Sequence, residues 1–357
     1  MLLPIVLVMC IACVSEGADR CPGACECSHR VSAERTEMDC HKKGLISIPP
    51  NLPHDSWILK MGENLLQDLP ANAIKSIPKL ESINLELNAI QAIHPLAFSG
   101  ARRLMLLNLY GNQISKLPLK GFQELINLRF LMLGQNHITT LKPGLFVGLR
   151  NLSDLDLPVN SLTTIPPNVF KPLTALKVLD LAFNKIGVVS PKAFIGLGEV
   201  QFLNLDNNNI RNLSAGTLRP LIKLEMLVLD NNQISTVTAA MFEGLSEMQE
   251  LYMRNNEIDI LPEDVFKHMP KLTQVALSGN RLKTIEGNLL TKLPDLKDVY
   301  LHDNPWACDC NMKSFVDWMT QTTANLSPFE ALKCTTPPEH KDKTLSSLKA
   351  EHLKCKD

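Results

Sequence analysis

Asparagine occupies positions 64, 88, 112, 136, 160, 184, 208, 232, 256, 280 and 304, eleven residues separated by ten intervals of 24. A spacing held ten times means that each unit adopts the same local structure and packs on its neighbours in sequence. Apolar residues stand three and five, and in most copies eight, positions before each Asn. Leu104, Leu107 and Leu109 precede Asn112 in this way, and Leu176, Leu179 and Leu181 precede Asn184. A second marker lies ten residues after the Asn: Phe98, Phe122, Phe146, Phe170, Phe194, Phe242 and Phe266.

Leu-x-Leu has period two, which predicts a short strand with two side chains turned inward and the intervening ones turned out. Parallel stacking at about 4.8 Å per strand makes a curved sheet with an arc of roughly 50 Å. The Asn amide carries a donor and an acceptor, suited to backbone groups that so short a strand leaves unpaired. The Phe column fills the wider convex side. There Pro95, Pro143, Pro167 and Pro191, three before their Phe, suit the start of a short helical turn. The expected fold class is a right-handed α/β solenoid of about eleven turns, a horseshoe lined by a curved parallel sheet. Leu218 and Leu290 in the Phe column, and Met248 and Met253 in the Leu columns, are volume-tolerant exchanges. The first copy is looser, with Ser56 where Leu is expected.

The pattern L-x-x-L-x-L-x-x-N-x-L on this period resembles the extracellular leucine-rich repeats, over residues 56–307. A solenoid leaves apolar faces open at its first and last turns, and these need lids. Residues 2–14 (LLPIVLVMCIACV) are thirteen apolar positions, short of the roughly 20 that span a bilayer. Small and polar residues follow, so residues 1–17 read as a secretory signal peptide, although no Lys or Arg precedes the apolar run. Two of the ten Cys, Cys10 and Cys13, leave with it. The others form two groups of four: Cys21, Cys25, Cys27 and Cys40, then Cys308, Cys310, Cys334 and Cys355. Even, clustered counts in an exported chain read as disulfide frameworks, with zinc sites as the rival; the spacings fit no common zinc pattern. Spacing alone leaves three pairings open per group. Residues 18–55 look like the N-terminal cysteine cap of this family and residues 308–357 like its C-terminal cap. The resemblance implies Cys21–Cys27, Cys25–Cys40, Cys308–Cys334 and Cys310–Cys355, with Trp306 and Trp318 covering the last turn. Among such proteins the chain is most similar to the soluble secreted group. That group includes leucine-rich alpha-2-glycoprotein, the beta-type phospholipase A2 inhibitors and the regulatory chain of carboxypeptidase N; lamprey variable lymphocyte receptors share the caps.

Net charge is −1 and 45% of residues are hydrophobic. Neither a global basic field for nucleic acid nor a disordered composition is present. No phosphate loop, nucleophile elbow or H-E-x-x-H occurs, and the nine His are scattered. Asp154-Leu155-Asp156 offers a carboxylate pair for acid–base work or calcium; two solvated residues on one strand face is the preferred reading. No catalysis, cofactor, metal or membrane anchor is expected, and the charged C-terminus has neither stop-transfer nor lipid-anchor character.

The outward residues lie six, four and two before each Asn, 33 positions in all, with eight acids against Lys60 and Arg254. Like charges on neighbouring strands repel, so a partner explains this collection better than folding does. The expected binding face comprises Tyr110, Phe130, Asp154, Asp156, Asp180 and Phe202, continuing through Asp206, Met226, Asp230, Tyr252 and Arg254. Its acidic and apolar character suits a basic extracellular protein. A soluble binder or inhibitor is the leading expectation; a matrix assembly protein or a soluble innate immune recognition protein is the alternative. Sequons place glycosylation at Asn151, Asn212 and Asn325.

Overall fold

The computed structural model describes residues 21–30 and 35–355; the signal peptide expected at residues 1–17 lies outside them. One 14-stranded sheet runs the length of the molecule in sequence order. It opens with β1 (Glu26–Arg30) and β2 (Arg35–Asp39), an antiparallel pair. The repeats then add one strand each. These are β3 (Ser56–Lys60), β4 (Ser82–Asn84), β5 (Leu106–Asn108), β6 (Phe130–Met132), β7 (Asp154–Asp156) and β8 (Val178–Asp180). They continue as β9 (Phe202–Asn204), β10 (Met226–Val228), β11 (Glu250–Tyr252), β12 (Gln274–Ala276) and β13 (Asp298–Tyr300). β14 (Asn325–Leu326), from the C-terminal region, closes the sheet. From β2 onward all pairing is parallel, and equivalent repeat positions sit side by side.

Backbone bonds between turns continue past the short strands, as from Leu133 N to Asp156 O at 2.8 Å, and the Asn satisfies the groups they leave over. Asn136 is typical. Its Nδ2 donates to the carbonyls of Leu109, Leu133 and Gly134 at 3.0–3.1 Å, and its Oδ1 accepts from Ile114 N at 3.0 Å. It is buried, as are the other ten. Each amide thus links two turns, and only a side chain with both donor and acceptor can do so.

The residue before each Asn turns the chain out of the strand in the left-handed region, with φ between 50° and 68° in all eleven copies. Gly111, Gly279, Asn207, Asn231, Asn255 and Asp303 suit this conformation; Leu87, Val159 and Phe183 do not.

On the convex side the Phe column is buried, with Phe98 against Phe122 and Phe146 against Phe170 at 6.0 Å between ring centres. Each unit has little chain left for this side, so it is covered mainly by tight turns. The expected start signals form single i→i−3 bonds, such as Ala97 N to His94 O and Ala193 N to Ser190 O, both 2.9 Å. Regular helix in the repeats is limited, among the described residues, to a 3₁₀ turn at Ala239–Phe242 and the five-residue α1 (Gly287–Thr291). Gly148, Gly196 and Gly244 follow their Phe by two positions with φ of 91–96°. A Cβ there would meet a carbonyl oxygen of the preceding turn at 2.2, 2.5 and 2.9 Å respectively.

Both ends are lidded. Disulfides join Cys21 to Cys27, Cys25 to Cys40, Cys308 to Cys334 and Cys310 to Cys355, the pairs the resemblance implies. Ser56, the irregular first-repeat residue, is fully buried and donates to Met38 Sδ at 3.4 Å, so the N-terminal hairpin fills the space a Leu would take. At the other end Trp306 and Trp318 are buried, stacked on Phe315 of α2 (Lys313–Gln321). Trp306 Nε1 donates to Leu301 O at 3.2 Å, which satisfies its one polar atom in the core.

Candidate protein-binding face

Strand alternation buries Leu107, Leu131, Leu155, Leu179 and Leu203 completely and turns their neighbours onto the concave side. Three carboxylates meet at its centre. Asp156 lies opposite Asp180 in the ladder, with Asp154 two residues before it on the same strand face. None of the three has a cation within ion-pair distance among the described residues.

Asp180 receives hydrogen bonding that Asp156 lacks. Residues two before the ladder Asn commonly donate their N–H to the side chain two positions earlier. Tyr110 N donates to Asn108 Oδ1 at 3.0 Å, Ala182 N to Asp180 Oδ1 at 2.9 Å and Asp206 N to Asn204 Oδ1 at 3.1 Å. Pro158 holds that position beside Asp156 and has no N–H to give. It lies beyond the end of β7 and costs the sheet no ladder bond; its carbonyl accepts from Gln135 N at 2.9 Å. Burial, then the charges of Asp180 and Asp154, push the Asp156 carboxyl up to about 6. Burial also raises Asp180, against the pull of the Ala182 N–H and the Asn204 side chain.

The acids are flanked by apolar surface. Phe130 and Tyr110 are each 39% exposed on the N-terminal side, and half-buried Phe202 and Met226 lie on the C-terminal side. Gly134 lets Tyr110 and Pro158 close over it, since a Cβ would stand 3.1 Å from each ring. Leu87, Val159 and Phe183, at 46–53% exposure, extend this surface along the rim. That rim lies one residue before each ladder Asn, outside the positions six, four and two before it that make up the expected face.

Other expected site residues are engaged within the protein. Asp230 is 4% exposed. Its Oδ1 accepts from Arg254 N at 2.6 Å and its Oδ2 from Nε at 2.8 Å and Nη2 at 2.6 Å, so one arginine occupies both oxygens across neighbouring turns. The Arg254 guanidinium lies 5.2 Å from the Tyr252 ring centre, and Tyr252 Oη donates to Glu250 at 2.5 Å. Asp206 accepts from Asn207 and Asn231 side chains, both at 2.9 Å. The expected face therefore divides into an unpaired acidic centre around β7 and β8 and a satisfied polar network over β9 to β12.

Asn151 and Asn212 are exposed outside the concave rows. Asn325 lies in β14, its Nδ2 donating to Asp298 Oδ1 at 3.1 Å. Among the described residues no helix is long and apolar enough to cross a membrane, and no group of three or more His, Cys, Asp or Glu could hold a metal ion.

Comparison with known proteins agrees with this architecture. Over 107 residues, 30% of the chain, it is 36% identical to leucine-rich repeat-containing protein 3 of Danio rerio, of which the match spans 40%. Over 110 residues it is 31% identical to chondroadherin-like protein of Homo sapiens, of which the match spans 14%. The chain thus spans less than half the length of these relatives. A chain in the octameric complex of Latrophilin 3, Unc5D and FLRT2 (LRR) superposes over 94% of this chain and all of its own length, with a TM-score of 0.72 at 23% identity. The leucine-rich repeat family model matches residues 58–114, 102–162, 150–210, 201–258 and 251–305. With that match unbroken from the first repeat strand to the last ladder Asn, the chain belongs to the leucine-rich repeat family.

Proposed function

We propose that this protein is a secreted, non-catalytic binding module that captures a basic extracellular protein on its concave face, as a soluble binder or inhibitor. The observation that carries the reading is the unpaired carboxylate cluster of Asp154, Asp156 and Asp180 between the apolar residues Phe130, Tyr110, Phe202 and Met226. Carboxylates half-removed from water without a cation are a cost to the folded chain, and a Lys or Arg from a partner removes it. The flanking rings supply the desolvated anchors that interfaces of this kind use. Four disulfides are consistent with an oxidising exterior. Proteins of the soluble secreted group named above share the capped architecture.

The test is capture from native extracellular fluid by wild type and by Asp154→Asn/Asp156→Asn/Asp180→Asn, followed by titration of the captured protein across salt. A basic partner should be lost from the triple variant, and its affinity for wild type should fall as the Debye length shrinks from about 10 Å at 0.1 M salt to about 3 Å at 1 M. Capture of the same proteins by both, with no salt dependence, removes the concave face from consideration.

A further inference from the structure

Basic residues are distributed unevenly over the rest of the surface. Between residues 75 and 192 the chain carries thirteen Lys and Arg, all exposed. None of them makes an ion pair or a side-chain hydrogen bond among the described residues. Outside the concave rows that stretch holds two acids, Glu81 and Glu124, and both are occupied. Glu81 is bound by Arg35 at 3.1 Å, and Glu124 by Ser99 Oγ at 3.2 Å and Gly100 N at 3.0 Å.

The later repeats neutralise the same surface. Nine residues before the ladder Asn, on the flank where the chain enters each strand, Glu199, Lys223, Glu247 and Lys271 alternate in sign. They form the pairs Lys223–Glu199 at 2.7 Å and Lys271–Glu247 at 2.6 Å. Before them the column opens with Asp55, which faces His29 at 3.2 Å, and then runs Lys79, Arg103, Asn127, Asn151 and Ala175 with no acid. Two positions further on, Arg129 and Lys177 flank Ser153. Ser153 N donates to Arg129 O at 2.9 Å and Lys177 N to Ser153 O at 2.8 Å, so the three lie on consecutive turns. At about 4.8 Å per strand the two cations stand roughly 10 Å apart.

Arg103, Arg129 and Lys177 share an open groove of about 510 Å³ with Asn127, Asn151, Ser153 and Glu81, whose carboxylate is held by Arg35 at 3.1 Å. A second groove of about 550 Å³, lined by Arg150 and Lys171, adjoins it through Arg150–Asn151 and Thr174–Ala175 and leads onto the convex side. Both are open to solvent along their length. Guanidinium forks match oxyanions of sulfate geometry, and a like-charged row is relieved by a chain of counter-charges. In the oxidising exterior that the disulfides favour, a sulfated polysaccharide has this chemistry. We propose that the flank of the early repeats binds a sulfated polysaccharide, with Arg103, Arg129 and Lys177 on sulfates in the first groove and Arg150 and Lys171 continuing the track. This surface is separate from the concave face, and the proposal does not depend on the concave partner.

A glycan on Asn151 would stand in the groove, so the test uses full-length Asn151→Gln protein and an immobilised heparin oligosaccharide. Arg129→Ala/Arg150→Ala/Lys177→Ala should weaken binding at least about tenfold. It should also lower the slope of log affinity against log salt, by roughly 0.7 per lost contact if the chain behaves as a single-stranded nucleic acid does. Lys223→Ala/Lys267→Ala/Lys271→Ala removes the same charge from ion-paired sites and should stay within about twofold. Hyaluronan, which has carboxylates and no sulfate, should bind far more weakly. Equal losses in the two triple variants, unchanged binding in the flank variant with folding verified by circular dichroism, or equally tight hyaluronan or single-stranded DNA would each overturn the proposal.

Discussion

Replacing Asp156 with Asn measures what the centre of the concave face costs the fold. The carboxylate sits between Met132 and Asp180 in the ladder, and Pro158 denies it the N–H bond that Asp180 receives. Its carboxyl is pushed from 3.8 to about 6. Because the folded value is the higher one, the folded state takes up the proton more readily, and it is the ionised form that opposes folding. That penalty is absent below the unfolded value near 3.8, grows as pH rises and is complete above about 6. At 1.36 kcal/mol for each pH unit between the two values, the ceiling is about 3 kcal/mol. The group is only half-buried, and solvent screening brings this to about 1–2 kcal/mol. Asn keeps the shape and removes the charge. Urea unfolding should therefore find Asp156→Asn more stable than wild type by about 1–2 kcal/mol near pH 7.5, with the gain gone near pH 4. The same substitution should weaken capture of a basic partner, so stability and binding move in opposite directions. A destabilised variant at neutral pH, or a gain of equal size at both pH values, would refute this electrostatic account.

Three further outcomes test the scaffold. Asn160→Ala removes donation to the carbonyls of Leu133, Leu157 and Pro158 and acceptance from Ile138 N. It should cost about 3 kcal/mol in urea unfolding, and Asn160→Asp, which cannot donate, should not rescue it at neutral pH. Gly148→Ala, Gly196→Ala and Gly244→Ala should lower the melting temperature in that order of severity, following the carbonyl approaches of 2.2, 2.5 and 2.9 Å; an inverted order would sink the clash explanation. Cys308→Ser/Cys334→Ser opens a loop of 26 residues and should cost about 3.5 kcal/mol by chain entropy. Hydrogen exchange should rise over the C-terminal cap and leave the central repeats protected.

Backbone architecture was readable because the period carries it: a donor-and-acceptor side chain every 24 residues and a two-residue apolar alternation admit little else. The rim column was just as periodic and went unread. Six of its eleven residues are Gly, Asn or Asp, the types that tolerate a left-handed turn, and Leu87, Val159 and Phe183 stand out against them. Leu, Val and Phe in an extended repeat signal core; here the turn carries them outward, where each bears strain of about 1–3 kcal/mol that packing does not explain. Side-chain pairing was illegible for a different reason. Asp156 and Asp230 are both acids on concave rows, yet one is unpaired and the other locked to Arg254. Row membership gives neighbours 24 residues apart but not which way a long side chain folds across them. The flank cations were hidden by summation, since charge counted over everything outside the concave rows comes out mildly positive. Counted by column, the alternating signs of the later repeats and the acid-free run from Lys79 to Ala175 separate at once. A solenoid's surface chemistry is therefore read along the stacking axis, column by column, because that is the direction in which its side chains touch.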